Sequence, residues 1–459
     1  MNLRLLSFIF FILSLVGLSG CIEDGFSDSG SDQPEFSVDT LKMGVILTEQ
    51  PSTTSRFVVY NRAKKGMQIS NVSLSGPHAS LFRLNVDGFS GTEFRNVEIR
   101  ANDSIFIFVE ATLPANERDV PVYVDASLDF VTNGVHRSVT IAAQGRDVRR
   151  LRGVTIDTDT RFEAGKPYQV FDSLVVAPGA TLTVDPGVEF MFHDGAMMVV
   201  RGTLKAVGTP GNEITFAGDR TGNVAGDISF DIMSRQWTGM FFTPTSTDSE
   251  LSYAHVCNTW QGVTVTGAPL RMVNTRLRNS GGSVLEAYDA RIEAIGCEMA
   301  EAAESPVVLS GGSHYFEHCT LANYYLFVAP AVPIVTFDHF NELTDNGSGA
   351  PYLQAQFLNT IIYGLGTDLS HGEFTGLPIS LESCLLKSAG TDDDNFIRCI
   401  WDTDPLYNTV RDEYIFDYTL KPESPAIGAA TAPTSPAAAT DRLGNPRYGT
   451  IGAYEYQER

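Results

Sequence analysis

The sequence is poor in cysteine and in basic residues, and both shortages exclude classes of function. Six cysteines occur among 459 residues; Cys21 stands apart near the amino terminus, and the remaining five are an odd number. An odd number argues against a complete disulfide framework. The 32 Lys and Arg residues against 55 Asp and Glu residues give a formal net charge of −23. Such an acidic surface repels nucleic acid, so we expect no nucleic-acid partner.

A hydrophobic run long enough to span a membrane is not found at the amino terminus either. The apolar run from Leu5 to Leu18 has 14 residues, whereas a helix needs about 20 residues to cross a bilayer. Arg4 is the single charged residue among the first twenty. The run therefore predicts the hydrophobic region of a signal peptide over residues 1–20 rather than a transmembrane segment.

The residues that follow this run form the motif Leu18-Ser19-Gly20-Cys21. This motif resembles the lipobox of bacterial lipoproteins. The resemblance implies cleavage before Cys21, attachment of diacylglycerol to its thiol and acylation of the new amine, so that a lipid anchors the protein to a membrane. The alternative is an ordinary secretory signal followed by a chance cysteine.

Residues 21–35 are rich in Gly, Ser and acidic residues, which predicts a flexible tether. Glu23 and Asp24 resemble the acidic export signal of surface-exposed lipoproteins in some Gram-negative bacteria. That resemblance implies an outer-membrane lipoprotein displayed on the cell surface, and the periplasmic face of the membrane is the alternative.

Residues 36–147 alternate apolar and polar side chains in short runs that are separated by turn residues, as in Ile105-Phe106-Ile107-Phe108-Val109. This spacing predicts an antiparallel β-sandwich. Asn133-Gly134 predicts a two-residue hairpin turn, because both residues tolerate positive φ. The stretch from Ser37 to Asn61 resembles the immunoglobulin-like (Ig-like) domains of such lipoproteins, which act as spacers or adhesion modules. The basic segment from Asp147 to Arg152 predicts either a domain boundary or a solvated edge.

A repeat appears in residues 153–415, where Cys or Thr recurs at one aligned position of six segments. The intervals between these residues are 18, 22, 22, 41 and 24, and the aligned residues are Cys257, Thr275, Cys297, Cys319, Thr360 and Cys384. Intervals of this size predict the coils of a parallel β-solenoid, with one coil carrying a long insertion. The small residue would fill an inner row, where cysteine acts as a small hydrophobe. We expect Cys297 and Cys319 to remain thiols, and a disulfide between them is the alternative.

This pattern resembles the right-handed parallel β-helix of the pectin-lyase-like superfamily, as do the segments Trp237-Thr238-Gly239-Met240-Phe241 and Trp260-Gln261-Gly262-Val263. The predicted fold class is therefore all-β: an Ig-like sandwich followed by a right-handed parallel β-helix. Residues 416–459 resemble the closing segment of many secreted β-helix proteins, and we expect them to cap the last coil.

Few residues of the sequence are candidates for catalysis or metal binding. The resemblance implies Asp pairs with a Gly-His-Gly motif for a hydrolase, and the sequence has no Gly-His-Gly. The acid pairs Asp157/Asp159 and Asp402/Asp404 are typical of turns. The run Asp392-Asp393-Asp394 suits either calcium or a solvated loop.

Two insertions carry candidate ligand-binding residues, because loops on a rigid scaffold often hold function. These residues are Asp338, His339, Asp368, His371 and Glu373. No spacing supports catalysis by them, so we predict no catalytic residue, no metal and no cofactor. Aromatic residues of the same region either stack on sugar rings or pack in the core; they are Tyr315, Phe316, Tyr324, Tyr325 and Tyr352.

Three functions remain open. The favoured hypothesis is a non-catalytic surface lipoprotein that contacts the membrane through its lipid and binds glycan or another surface polymer along the β-helix. The second is a carbohydrate-active enzyme, a polysaccharide lyase or glycoside hydrolase, in the same groove. The third is a structural adhesin with a protein partner.

Overall fold

The computed structural model describes residues 25–225, 228–327, 332–338, 353–370 and 378–458. Of the predicted site residues, Cys21, His339, His371 and Glu373 lie outside these ranges. The chain divides into two compact units, one ending at Asp147 and the other beginning at Val148. The described part consists of strands and short 3₁₀ turns without an α-helix, and it offers no helix with the length and apolarity to cross a membrane.

The first unit contains ten strands in two five-stranded sheets, ordered β1-β3-β8-β5-β6 and β2-β10-β9-β4-β7. Their bounds are β1 Glu35–Phe36, β2 Thr40–Leu47, β3 Ser55–Tyr60, β4 Met67–Ser75, β5 Phe82–Val86, β6 Phe89–Gly91, β7 Glu93–Ile99, β8 Ser104–Ala111, β9 Val122–Thr132 and β10 Val135–Arg146.

Alternation of side chains builds the core of this unit. Strand β8 buries Ile105, Ile107 and Val109 and turns the residues between them outward, which is the period-two pattern of a sheet with one covered face. Asn133 and Gly134 have φ values of 50° and 77° between β9 and β10, so the predicted hairpin turn is confirmed.

The first unit departs from the sequence-based prediction in two places. All strand pairs are antiparallel except β2 with β10, which is parallel. Part of the predicted tether over residues 21–35 lies against the sandwich: Phe26 pairs with Gly66, and the Gln33 side chain donates to Thr132 O. These contacts hold residues 26–33 against the sandwich.

The second unit is a solenoid of parallel strands with three faces, which we call A, B and C. Face A contains the second half of β11 Arg149–Ile156, the second half of β13 Tyr168–Val176, β16 Met197–Val200, β21 Gly239–Phe242, β24 Val263–Thr266, β27 Leu285–Tyr288, β30 Val307–Ser310 and β33 Val335–Asp338. Face C contains β12 Thr160–Phe162, β14 Thr181–Val184, β17 Thr203–Val207, β22 Ser249–Ser252, β25 Pro269–Val273, β28 Arg291–Ile295, β31 Gly312–Glu317, β34 Leu353–Leu358, β36 Ile379–Glu382 and β38 Phe396–Ile397.

Face B contains the first halves of β11 and β13, then β15 Glu189–Phe192, β18 Ile214–Gly218, β23 Ala254–Cys257, β26 Arg276–Ser280, β29 Glu298–Ala302, β32 Thr320–Asn323, β35 Ile361–Gly364 and β37 Leu385–Leu386. Strand β13 serves two faces because it bends at Asp172, whose φ is 62°. The strands β19 Asn223–Ala225 and β20 Ile228–Ser229 form a separate antiparallel pair. In the described ranges, 3₁₀ turns occur at Ala79–Leu81, Phe230–Ile232, Arg411–Glu413 and Pro436–Ala438.

The parallel solenoid confirms the repeat architecture read from the sequence, with a shift at its start. Strand β11 already pairs with β13 from Arg149, four residues before the predicted boundary at 153. The basic segment around Arg149 to Arg152 is thus a largely exposed first strand of the solenoid.

From β22 onward, one residue with positive φ makes each corner between faces C and B, and the residue after it points into the interior. The corner residues are Tyr253, Asn274, Gly296, His318, Asn359, Ser383 and Arg398, with φ between 46° and 65°. The inner row that follows them is Ala254, Thr275, Cys297, Cys319, Thr360, Cys384 and Cys399. Small side chains fit this row because they stack directly on the next coil.

The inner row confirms five of the six aligned positions and corrects the sixth. Ala254, not Cys257, precedes Thr275 in the row, since Ser252 pairs with Val273 and Cys257 pairs with Arg278. The first interval is therefore 21 residues instead of 18. Cys257 faces outward from face B. The 41-residue interval is a single coil with an insertion, because Glu317 pairs with Leu358.

Residues 407–454, which we call the C-terminal segment, lie along face B, whereas the sequence predicted that residues 416–459 cap the last coil. Tyr407, Tyr418 and Ile451 pack on the outward side chains Ala300 and Ala322. Small outward residues let this segment approach the sheet closely. The segment thereby covers the outward apolar side chains of face B, which would otherwise form an exposed apolar strip.

Candidate functional site

A cavity of about 470 Å³ lies on the outer side of face B, and we call it the face-B cavity. Its floor is formed by outward residues of neighbouring strands: Thr215 and Ala217 on β18, His255 and Cys257 on β23, and Arg278 on β26. These positions face outward because Phe216, Val256 and Leu277, which alternate with them, fill the solenoid interior.

Three residues at the end of these strands form one edge of the floor. Asn258, Asn279 and Glu301 have φ of 63°, 56° and 53°, and asparagine tolerates this conformation better than most residues. The Nδ2 atoms of Asn258 and Asn279 both donate to Asp231 O, at 2.8 and 3.1 Å. The strand ends thereby hold the segment that contains Asp231 and Ile232 against the cavity.

Aromatic side chains from two other segments form the walls. Tyr325 and Phe327 follow β32, and Tyr414 and Phe416 belong to the C-terminal segment. Phe327 is 50% exposed and Tyr414 is 46% exposed. Arg411 joins the two segments, since its guanidinium donates to the carbonyl oxygens of residues 324, 325 and 326 at 2.9–3.1 Å.

The charged groups of the floor are largely paired with one another. Arg278 Nε lies 2.8 Å from Glu301 Oε2 and 3.2 Å from Glu298 Oε1. Burial disfavours the charged form of Arg278, but the two carboxylates more than offset this and raise the pKa of its guanidinium. Burial also raises the pKa of Glu301, against the opposing effect of Arg278. Tyr418 donates its hydroxyl to the other oxygen of Glu301.

His255 is held in one neutral tautomer. Its Nδ1 atom lies 3.3 Å from Arg276 Nη2, which can only donate, so Nδ1 accepts and Nε2 carries the proton. Burial, followed by the charges of Arg276 and Arg278, holds the pKa of His255 well below its usual value. Within the described ranges, Nε2 is buried without a hydrogen-bond partner.

The Cys257 thiol is protonated at neutral pH. Burial raises the pKa of Cys257 to about 12, and the thiol donates to Asn258 Oδ1 at 3.1 Å. Only the thiolate is a strong nucleophile. The neighbouring His255 and Cys257 therefore do not form an activated nucleophile–base pair.

The two described candidates from the sequence, Asp338 and Asp368, have different surroundings. Asp338 is exposed at the end of β33 on face A. Asp368 is fully buried, and its carboxylate accepts from Ser388 N at 2.8 Å, Ser388 Oγ at 2.5 Å and Leu369 N at 2.8 Å. Asp368 thus closes a turn between coils. Cys21, His339, His371 and Glu373 fall outside the described part.

The other acidic candidates also serve the backbone. Asp392 accepts from Arg398 N, Cys399 N and Trp401 Nε1, and Asp393 accepts from the amides of Asn395 and Phe396. In the ranges that can be described, His, Cys, Asp and Glu side chains form no group of three suited to a metal ion.

The predicted aromatic cluster is dispersed. Phe316 stacks on Phe357 inside the solenoid with ring centroids 4.8 Å apart, and Tyr315 bonds Thr434 Oγ1 at 2.6 Å. Tyr324 packs near Tyr418, and among the described members of the cluster only Tyr325 reaches the cavity. Tyr352 lies outside the described ranges.

The sequence patterns did not identify His255, Asn258, Arg278 and Asn279 as residues of a site. The repeat contains a signal that could have identified them. If the first interval is aligned at 21 residues, Ala254 takes the place of Cys257 in the inner row, and Cys257 lies on the outward side of β23. His255 then shares that outward side, one coil before Arg276. No local signal connects these residues with Phe327 or Tyr414, which are distant in sequence.

Comparison with known proteins identifies no family: no family description and no curated protein matches the chain. Some solved structures share limited similarity. A family 123 glycoside hydrolase from Clostridium perfringens, studied for glycolipid glycan hydrolysis, has 11% identity and a TM-score of 0.18 over 24% of this chain and 23% of that one. A protein of unknown function from Porphyromonas gingivalis W83 has 17% identity and a TM-score of 0.19 over 28% of this chain and 60% of that one.

A third solved structure, the ASH/PapD-like domain 7 of human CEP192, has 12% identity and a TM-score of 0.18 over 27% of this chain and 92% of that one. The chain covers less than two thirds of the length of the first two structures. TM-scores of this size establish neither a shared fold nor a shared activity.

Proposed function

We propose that this chain is a lipid-anchored cell-surface protein whose solenoid binds carbohydrate, without catalysis, in the face-B cavity. One observation carries the proposal: aromatic walls stand above a floor of amide, carboxylate, guanidinium and imidazole groups. Sugars have apolar C–H faces and many hydroxyl groups. Aromatic rings pack against the former, and mixed donors and acceptors bind the latter.

The chemistry of the floor favours binding over reaction. A general base works best with a pKa near the operating pH. The pKa of His255 is far below that range, and the Cys257 thiol stays protonated. Arg278 and Glu301 are engaged with each other, which orients them as fixed ligand contacts.

A catalytic role is the second candidate, and Glu301 is the observation that favours it. A carboxyl group with a raised pKa in a cavity suits a general acid. Glu301→Gln distinguishes the two candidates. Under the binding proposal the wild-type protein leaves a bound glycan intact, whereas an enzyme would cleave it and the variant would not.

The fold assignments and the lipid anchor in this proposal rest on resemblances in the sequence. We assign the sandwich to the Ig-like class and the solenoid to right-handed, pectin-lyase-like β-helices. The Leu18-Ser19-Gly20-Cys21 motif supports a lipid on Cys21, and Glu23 and Asp24 support display on the outer surface of the outer membrane. The sandwich would then hold the solenoid away from the membrane.

A glycan array with the detergent-solubilised full chain tests the proposal. We expect wild type to bind a defined group of glycans, and Phe327→Ala to weaken that binding by about three- to tenfold, since ring contacts contribute about 0.5–1.5 kcal/mol. Phe89→Ala is the matched control, because Phe89 is 73% exposed in the first unit. Absence of glycan binding by wild type would contradict the proposal and favour the adhesin with a protein partner.

A further inference from the structure

The inner row ends in two cysteines that lie directly opposite each other on neighbouring coils. Leu381 pairs with Phe396 and Glu382 with Ile397, and Leu385 pairs with Ile400 beyond them. Cys384 and Cys399 are therefore matched between these pairs. Neighbouring strands are about 4.8 Å apart, which lies within the Cα separations of about 4.4–6.8 Å that disulfides span.

The backbone around the two cysteines holds both thiols in place. The Cys399 thiol donates to Leu381 O at 3.4 Å, and the Cys384 thiol donates to Glu382 O at 3.5 Å. Asp392 accepts from the amides of Arg398 and Cys399 and from Trp401 Nε1, which fixes the backbone at the last rung. The Cys399 thiol is thus positioned by a polar network rather than by packing alone.

Exposure separates this pair from the other cysteine pair in the row. Cys297 and Cys319 have the same register on neighbouring coils, but both are fully buried. Cys399 is partly exposed, whereas Cys384 lies behind it in the core. A soluble oxidant can reach Cys399 and cannot reach the earlier pair. The neighbouring Cys384 side chain lowers the pKa of Cys399, which favours the Cys399 thiolate as the first nucleophile, whereas burial raises the pKa of Cys384.

We propose that Cys384 and Cys399 form a disulfide by thiol–disulfide exchange with a small or protein disulfide, and that this bond locks the last rung of the solenoid. The Cys399 thiolate attacks the oxidant disulfide, forms a mixed disulfide and releases one thiolate. Cys384 then loses its proton and attacks the Cys399 sulfur, releasing the second thiolate. The two protons of the protein thiols end on the two released thiolates, so one disulfide is reduced and one is formed.

The bond would act where backbone pairing is weakest. Strand β38 pairs with β36 through two residue pairs, whereas β31 pairs with β34 through six. A disulfide between Cys384 and Cys399 would keep β38 close to β36 even when the backbone pairing is lost. It would thereby reduce the conformational entropy of the unfolded chain and stabilise the last coil. The proposal does not depend on carbohydrate binding. It needs an oxidising environment, and in this respect it rests on the export that the proposed function includes.

Oxidation of the reduced, folded full chain with glutathione disulfide tests the proposal, with peptide mapping after alkylation. We expect a Cys384–Cys399 cross-linked peptide, free thiols at Cys297 and Cys319, and a higher midpoint of thermal unfolding than for the reduced protein. Cys399→Ser should abolish both the cross-link and the gain in midpoint.

Cys319→Ser is the matched control, and we expect it to retain the Cys384–Cys399 link. A stable mixed disulfide on Cys399 with Cys384 still free would overturn the proposal, as would a cross-link that maps to Cys297 and Cys319. Should Cys399→Ser fail to fold, Cys384→Ala supplies the same comparison, since alanine already occupies this row at Ala254.

Discussion

At the scale of single residues, the corner between faces C and B determines which side chains the interior receives. The corner residue has positive φ, and the next side chain enters the row of small residues. Thr275 shows how tightly this row is satisfied: it is fully buried, and its Oγ1 lies 2.9 Å from Leu251 O and 3.1 Å from Val273 O.

Thr275→Asp should therefore destabilise the solenoid strongly. A carboxylate at this position would be buried without a cationic partner, and we expect the free energy of unfolding to fall by about 3 kcal/mol or more. Urea unfolding measures the change. Thr264→Asp is the control, because Thr264 alternates with the buried Val263 and Val265 on β24 and faces outward. Equal stability of Thr275→Asp and wild type would disprove the inner row.

Two buried histidines should make the solenoid sensitive to acid. Burial lowers the pKa of His314 to about 4, and burial together with Arg447 lowers the pKa of His318 to about 3. Unfolded chains take up these protons near pH 6.5. Stability should therefore decrease as the pH falls from about 6.5 toward 4, because the unfolded state binds more protons there.

The pH dependence of urea unfolding, compared between wild type and His314→Gln, measures this effect. Glutamine keeps a donor for Gly311 O, to which His314 Nε2 lies at 2.8 Å, but it does not titrate. We expect a loss of the order of 3 kcal/mol from this site in wild type between pH 6.5 and 4, and a flatter profile for the variant. Parallel profiles would refute the assignment.

At the scale of elements, the strands were largely predictable and the contacts between distant segments were not. The turns at Pro178-Gly179 and Pro186-Gly187 and the repeat of about 22 residues indicate where the strands lie, because turn residues and alternation are local signals. The face-B cavity joins β23, a segment after β32 and the C-terminal segment. The place of residues 429–440, a stretch rich in Ala, Thr and Pro, depends on tertiary partners such as Glu317 and Asn359.

Glu317 is the partner whose loss should release that stretch. Its buried carboxylate accepts from the amides of Thr434 at 2.6 Å and Ser435 at 3.2 Å. Hydrogen bonds to a charged group contribute about 1.5–3 kcal/mol. We expect Glu317→Ala to raise elastase cleavage within residues 429–440 by about tenfold or more.

Glu293→Ala provides the comparison for this cleavage. Glu293 lies on the same face C, but it is half exposed and pairs with Arg271 at 3.4 Å on the surface. Its removal should leave the elastase pattern unchanged. Equal cleavage of both variants would show that the Glu317 contacts do not hold the C-terminal segment.

At the scale of the whole molecule, the chain consists of two units with separate hydrophobic cores. The alternation in residues 36–147 and the repeat after 153 were sufficient to anticipate sheets in both. The three-sided cross-section was not predictable, since a repeat length gives the size of a coil and not its corners. The membrane connection is argued from the sequence motif around Cys21.

Cys21→Ala tests that connection. In a bacterial host fed labelled palmitate, we expect wild type to incorporate the label and the variant to lose it, because Cys21 would carry both the thioether lipid and the acylated amine. Cys399→Ala is the control for a thiol elsewhere in the chain and should stay labelled. Continued labelling of Cys21→Ala would rule out this anchor.

The path of the C-terminal segment along face B limits how this solenoid can change length. Arg442 pairs with Glu213, Thr434 and Ser435 bind Glu317, and Ala426 and Ile451 pack beside Leu385 in the same cluster, so the segment is tied to coils far apart. Duplicating one coil would displace these ties by about 4.8 Å relative to each other. Repeat proteins commonly gain length when one repeat is duplicated. In this protein an added coil would break contacts of the C-terminal segment, so the segment restricts the number of coils.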